Sequence, residues 1–158
     1  MLRRPPRSTL APPRRSSDLS DVRSLEWEQA RNVHLAMSIT IDRQLIVDAL
    51  LKGFGRPLTL RDWGGFEDRL PRDIQWGFDP AQAKKLLAEA GYPDGFAITL
   101  TPAIRGAFAE VEACEAVADM WNSIGIKVEF QLMPYAALRT SLVPRTYQGA
   151  TCTLYLRL

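Results

Sequence analysis

The strongest structural signals of the chain lie in residues 78–101, which have the sequence FDPAQAKKLLAEAGYPDGFAITLT. Asp79 is a suitable helix N-cap, and Pro80 fits the first helical position, where its missing N–H costs nothing. Gly91 fits the left-handed position that follows the last turn of a helix. Between these signals, apolar residues recur at helical spacing at Ala83, Leu86, Leu87 and Ala90. The stretch therefore predicts a capped amphipathic helix.

A turn and a strand follow this helix. Residues 92–95 are Tyr-Pro-Asp-Gly, in which proline presets φ and glycine accepts a positive φ. Phe96, Ile98 and Leu100 then alternate with smaller residues, which is the pattern of a strand.

The flanking sequence extends this pair of elements into a longer pattern. On the N-terminal side, apolar spacing predicts a helix over 27–37 and a second helix after Asp42, which Gly53 and Gly55 end. On the C-terminal side we expect a helix, a strand, a short helix and a strand over residues 111–124, 126–132, 135–142 and 151–156. Strands separated by helices imply parallel pairing, so the predicted fold class is α/β: a βαβαβ unit preceded by helices.

The first twenty residues differ from the rest in composition. They are rich in Arg, Pro and Ser and lack any period, so we expect residues 1–20 to be a disordered leader and 21–158 to hold the fold. This leader resembles translated sequencing-adapter sequence and is interpreted as non-native; the other interpretation is an Arg-rich arm that contacts phosphate or anionic lipid. It holds five of the 20 basic residues and one of the 18 acidic ones, so the net charge of +2 originates there. Residues 21–158 are mildly acidic, which disfavours a nucleic-acid binder.

The sequence predicts neither a membrane-spanning segment nor a metal site. No apolar run approaches the ~20 residues that cross a bilayer, and residues 1–20 lack the apolar stretch of a signal peptide. Cys114 and Cys152 form no CxxC pair, and His34 is the only histidine, so we expect no metal site. The cysteines leave the redox compartment open, because two buried free thiols are tolerated inside or outside the cell.

No catalytic constellation or cofactor motif is found, so we predict a protein that is not an enzyme and has no cofactor. Glu112, Glu115 and Asp119 lie at helical spacing, where a solvated helix face explains them better than acid–base chemistry or cation binding. His34 is interpreted as a helix-packed or surface histidine. Residues 53–55 (Gly-Phe-Gly) follow a helix and lack the third glycine of a dinucleotide site.

The candidate ligand-binding residues are in the irregular segment 54–78. Trp63, Phe66 and Trp76 either pack as anchors of this loop or line a ligand pocket. The nearby arginines, Arg61 and Arg69, either stay solvated or bind a ligand carboxylate through two parallel hydrogen bonds. The candidates are Arg61, Trp63, Phe66 and Trp76.

Three stretches carry a family resemblance. Residues 36–57 contain AMSITIDR, IV and GFGRP, residues 78–96 read FDPAQAKKLLAEAGYPDGF, and residues 120–128 contain MW and IGIKV. Together they resemble the extracellular solute-binding proteins of ABC importers, family 5, the peptide/nickel-binding group. The second stretch is similar almost throughout to that family's Y-D-P-x-K-A-K-x-L-L-A-E-A-G-Y-P-D-G-F segment. Residues 147–148, Tyr-Gln, depart from the family's Tyr-Asp.

The resemblance implies a type 2 periplasmic-binding-protein fold, whose two lobes close around a ligand by hinge motion. We expect residues 21–158 to be part of the C-terminal lobe. The implied function is capture of oligopeptides or a similar small solute for an ABC permease, by a monomer that binds no nucleic acid. The implied location is periplasmic or extracellular, with a lipoprotein anchor in the intact protein and no signal peptide in this chain. The alternative is the ligand-sensing domain of a transcription regulator that uses the same fold.

Overall fold

The computed structural model describes residues 21–58, 69, 71, 77–144 and 146–154. Its helices and strands follow the order that the sequence predicts, so the α/β class is confirmed. In chain order they are α1 (Leu25–Ile39), α2 (Arg43–Leu50), α3 (Pro80–Glu89), β1 (Ala97–Pro102), α4 (Glu110–Ser123), β2 (Lys127–Phe130), α5 (Tyr135–Leu142) and β3 (Ala150–Cys152).

Two of the helices begin at the aspartates that the sequence indicates. Asp42 Oδ1 accepts a hydrogen bond from the backbone N–H of Leu45 at 2.9 Å, at the start of α2. Asp79 Oδ1 accepts from the N–H of Gln82 at 2.8 Å, at the start of α3. Each carboxylate satisfies one of the N–H groups that the first turn of a helix leaves free, and its charge is favourable beside the helix dipole.

The three strands form a parallel sheet in the order β2-β1-β3. Ala97 to Leu100 of β1 pair with residues 127–130 of β2. On the other side of β1, Leu100 to Pro102 pair with residues 150–152 of β3. The central strand is therefore β1, and all three strands have their carboxyl ends at the same edge of the sheet.

The third strand is shorter than the sequence predicts. The alternation indicated a strand over 151–156, whereas β3 starts at Ala150 and ends at Cys152. The paired residues at this end are Pro102 of β1 and Cys152 of β3. The last bond is donated by the N–H of Ala103 to the carbonyl of Cys152, at 2.7 Å. The remainder of the predicted strand, residues 155–158, lies outside the described residues.

One hydrophobic core joins the helices to the sheet. Helix α1 packs against α3, and α4 packs against β1 and β2. The buried members of this core are Val33, Ala36, Ile39, Ala83, Leu86, Leu87, Ala90, Phe96, Leu100, Ala118, Trp121, Ile124 and Ile126. Trp121 is a buried member of this core, and its indole N–H also donates to the carbonyl of Met37 at 2.8 Å. This bond ties α4 to the carboxyl end of α1.

Replacing Trp121 by phenylalanine should lower the free energy of unfolding by about 1–3 kcal/mol, because the carbonyl of Met37 then loses its donor at a mostly buried position. Urea unfolding followed by far-UV circular dichroism measures the change. Trp27→Phe is the matched control, since Trp27 is only half-buried on α1 and its indole makes no side-chain hydrogen bond among the described residues. Equal effects of the two substitutions would contradict the assignment of this bond.

The two cysteines form a disulfide bond, with Cα atoms 5.8 Å apart. The sequence alone left the redox compartment open and did not predict this bond. Cys114 lies in the second turn of α4 and is fully buried, while Cys152 is the last residue of β3. The bond fastens the edge strand to the helix that follows β1.

Among the described residues, no helix combines the length and the apolar character needed to cross a bilayer.

Candidate functional site

The candidate site lies where the parallel strands end. We call this region the carboxyl edge and define it as residues 103–109, 131–135 and 153–154, which follow β1, β2 and β3. From β1 the chain passes to β2 on one side and then crosses to β3 on the other, so the strand order reverses at β1. In open α/β sheets, ligands bind outside the carboxyl ends of the strands at such a reversal.

Two segments of the carboxyl edge meet through Arg105 and Tyr135. The Cζ atom of Arg105 lies 4.8 Å from the centre of the Tyr135 ring, which is a cation–π contact. Arg105 belongs to the segment after β1, and Tyr135 is the first residue of α5, which follows β2. Arg105 is exposed, and among the described residues no acceptor takes a hydrogen bond from its guanidinium. The Tyr135 ring orients the guanidinium of Arg105, whose planar set of N–H donors matches the geometry of a carboxylate.

The segment that carries Arg105 is held by a buried carboxylate. Glu110 is only 3% exposed, and its Oε2 atom accepts backbone N–H bonds from Arg105, Gly106 and Ala107, at 2.6, 3.1 and 3.3 Å. Successive N–H groups converging on one oxygen form an anion-binding nest, which here receives a carboxylate from the same chain. The other carboxylate oxygen, Oε1, is buried and has no hydrogen-bond partner among the described residues.

Sequence reasoning missed Glu110. It considered Glu112, Glu115 and Asp119, and all three are exposed on α4, as the solvated-face interpretation predicts. A usable signal was present, because position 109 is an alanine and gives helix α4 no side-chain cap. When a helix lacks a side-chain cap and follows a glycine-containing loop, a Glu at its first position is a candidate to accept hydrogen bonds from the N–H groups of that loop.

Apolar surface is also present at the carboxyl edge. Phe108 is 67% exposed in the segment after β1, and Leu132 is 59% exposed in the segment after β2. Large apolar side chains beside an oriented cation suit a solute that has both a carboxylate and a non-polar part.

The sequence proposed four residues for ligand binding. Arg61, Trp63, Phe66 and Trp76 lie outside the described residues. Arg69 is described and is exposed. The described ranges contain no group of three or more His, Cys, Asp and Glu side chains that could hold a metal ion.

His34 lies on α1 and is exposed, as the surface interpretation predicts. Although the residue is exposed, neighbouring protein atoms desolvate part of its ring, which lowers its pKa below the ordinary value of 6.5 because desolvation disfavours the imidazolium form.

The sequence matches a family of known proteins over most of its length. The family described as "Bacterial extracellular solute-binding proteins, family 5 Middle" matches residues 26–151. The matched range starts at the second residue of α1 and ends within β3, so it includes the segments after β1 and β2 that form the carboxyl edge.

Individual relatives match over a similar region. The chain is 32% identical over 102 residues to heme-binding protein A of Haemophilus influenzae, which covers 60% of this chain and 18% of that protein. It is 32% identical over 108 residues to the glutathione-binding protein GsiB of Salmonella choleraesuis, which covers 64% of this chain and 19% of that protein. The chain thus spans less than a fifth of the length of these curated relatives.

A solved structure agrees with the sequence matches. The structure of HbpA2 from Haemophilus parasuis superposes with a TM-score of 0.62 at 26% identity, covering 77% of this chain and 25% of that one. The periplasmic binding protein DppA from Helicobacter pylori superposes with a TM-score of 0.58 at 23% identity, covering 81% of this chain and 24% of that one. The arrangement of helices and parallel strands described above is therefore a portion of a periplasmic binding protein fold.

Proposed function

Since the chain belongs to the bacterial extracellular solute-binding proteins of family 5, we propose that it is part of the binding component of an ABC importer and captures oligopeptides or a similar small solute with a carboxylate. The relatives that it matches are binding proteins. Residues 21–158 form part of one lobe, and closure of the two lobes holds the solute until a permease receives it.

The observation that carries the choice of solute is Arg105 stacked on Tyr135 at the carboxyl edge. A guanidinium binds a carboxylate through two parallel hydrogen bonds, and an aromatic face restricts its motion before the ligand arrives. Ordering a long side chain on binding costs about 0.5–1.5 kcal/mol, so a guanidinium already held in place improves affinity.

The named ligands of the relatives share the same chemistry. Haem carries two propionate groups, and glutathione is a tripeptide with two carboxylates. Haem also has a large non-polar ring, which fits against exposed apolar side chains such as Phe108 and Leu132. Arg61, Trp63, Phe66 and Trp76 remain candidates for further contacts to the same solute.

The disulfide supports a location outside the cytoplasm. Disulfides persist in oxidising compartments such as the periplasm and are rare in reducing cytosol. The Cys114–Cys152 bond therefore favours the transport function over the alternative of a cytosolic transcription regulator. Proteins of family 5 work in the periplasm, and we propose the same location for this chain.

Replacing Arg105 by alanine should weaken the binding of trialanine about 10- to 100-fold, because a charge-assisted pair contributes about 1.5–3 kcal/mol. Isothermal titration calorimetry of the 158-residue chain with trialanine and with trialanine amide measures the effect. The amide lacks the terminal carboxylate, so it should bind weakly to the parent chain and lose little more in the variant.

Arg31→Ala is the matched control, since Arg31 is also exposed but lies on α1. Unchanged trialanine affinity in Arg105→Ala, or equal affinities for acid and amide, would contradict the carboxylate assignment. Haemin and glutathione are the second and third probes. Failure of all three to bind would contradict capture of such solutes by this chain.

A further inference from the structure

Glu110 is buried, which is unusual for a glutamate side chain. Its carboxylate receives three hydrogen bonds, and all three donors are backbone N–H groups of the segment that follows β1. A short polar side chain at position 109 could cap helix α4 without any contribution from Glu110. Position 109 is instead an alanine in the left-handed conformation, with φ 54°, and it gives no side-chain cap. The three donors belong to the loop before α4, so Glu110 binds this loop and does not cap the first turn of its own helix.

The bonds of Glu110 determine the path of the backbone from which Arg105 extends. Arg105, Gly106 and Ala107 are consecutive, so one oxygen restrains three successive peptide units. The shortest of the three bonds, at 2.6 Å, is donated by Arg105 itself. The side chain of the same residue reaches the ring of Tyr135 on the neighbouring segment. Glu110 and Tyr135 therefore restrain the backbone and the side chain of Arg105 separately.

We propose that Glu110 is a positioning residue, which holds the segment 105–107 in the conformation that places the Arg105 guanidinium over Tyr135 for a solute carboxylate. The ligand part of this statement rests on the proposed function, whereas the placement of Arg105 does not. Glu110 is buried, so it acts through Arg105 and does not touch the solute.

Charge and hydrogen bonding at Glu110 can be separated by substitution. Glutamine keeps an acceptor oxygen and loses the negative charge, which weakens the three bonds without removing them. Alanine removes the acceptor and leaves three N–H groups without a partner. A graded effect, larger for alanine than for glutamine, therefore follows from the proposal. Glu112, exposed on the same helix, supplies the matched control Glu112→Ala.

The experiment uses NMR on the isotope-labelled 158-residue chain. Amide hydrogen exchange of residues 105–107 should accelerate about tenfold or more in Glu110→Ala, by a smaller factor in Glu110→Gln, and not at all in Glu112→Ala. The core amides of Val33 and Leu87 report global opening and should be unaffected in Glu110→Gln. The Arg105 side-chain protons should show an upfield shift from the Tyr135 ring, which Glu110→Ala and Tyr135→Leu both abolish.

The trialanine titration completes the test. Weaker binding in Glu110→Gln, with unchanged core exchange, supports positioning. The proposal is overturned if the ring-current shift of Arg105 survives in Glu110→Ala, or if residues 105–107 loosen while trialanine affinity stays the same. If Arg105→Ala itself leaves trialanine affinity unchanged, the proposed function fails. The exchange rates and the ring-current shift then still decide whether Glu110 places Arg105.

Discussion

Replacing Gly95 by alanine is expected to lower the free energy of unfolding by about 2–5 kcal/mol. Gly95 has φ +74°, a conformation that costs a non-glycine residue about 1–2 kcal/mol. In addition, a Cβ atom at this position would overlap the carbonyl oxygen of Gly125. The obstacle is backbone, so relief requires movement of the turn between α4 and β2, and such crowding costs about 1–3 kcal/mol more.

The steric part of this effect can be isolated with Gly91→Ala. Gly91 also has a positive φ, +91°, but a Cβ there would meet no atom within 4 Å. Gly91→Ala should cost about 1–2 kcal/mol, from the backbone conformation alone. Urea unfolding of both variants, followed by tryptophan fluorescence, gives the comparison. A Gly95→Ala chain as stable as the Gly91→Ala chain would contradict the close approach of the two glycine turns.

Removing the disulfide should destabilise the chain by about 2–4 kcal/mol. Cys114 and Cys152 are 38 residues apart, and closing a loop of that length reduces the entropy of the unfolded chain by the equivalent of about 4 kcal/mol at 25 °C in the chain-entropy model. The double variant Cys114→Ala/Cys152→Ala tests this by urea unfolding. The edge strand should open first, because β3 has only three residues and, within the described part of the chain, pairs with β1 alone.

Dithiothreitol provides the internal control for this prediction. Reductant should lower the stability of the parent chain toward that of the double variant and should leave the double variant unchanged. Hydrogen exchange at the Ala103 amide, which donates to Cys152, should accelerate before the amides of α1 and α3 respond. Equal stability of the oxidised and reduced parent chains would show that the bond does not stabilise the fold.

The local elements of the fold were predictable because their signals are short-range. Asp79 and Pro80 start α3, Gly91 follows its end, and alternation over 96–101 identifies β1 within a residue. Each of these features depends on the backbone preferences of a few adjacent residues. The same is true of the exposed acidic face of α4.

The candidate site was not predictable in the same way. Arg105 and Tyr135 are 30 residues apart, and they meet only because parallel pairing of β1 and β2 brings the ends of both strands to one edge. Glu110 resembles the other acids of its helix in the sequence. It differs because the segment 105–107 turns its N–H groups back toward one carboxylate oxygen.

The sequence by itself thus determined where helices and strands begin, the α/β class and the family. The element boundaries and the class follow from caps, periodicity and turn residues, which act over one or two turns of chain, whereas the family follows from the resemblance of three stretches to known sequences. Only the tertiary structure decided the strand order β2-β1-β3, the Cys114–Cys152 bond and the burial of Glu110. Each of these joins groups through space, and the partner is selected by packing of the common core, which no local pattern encodes.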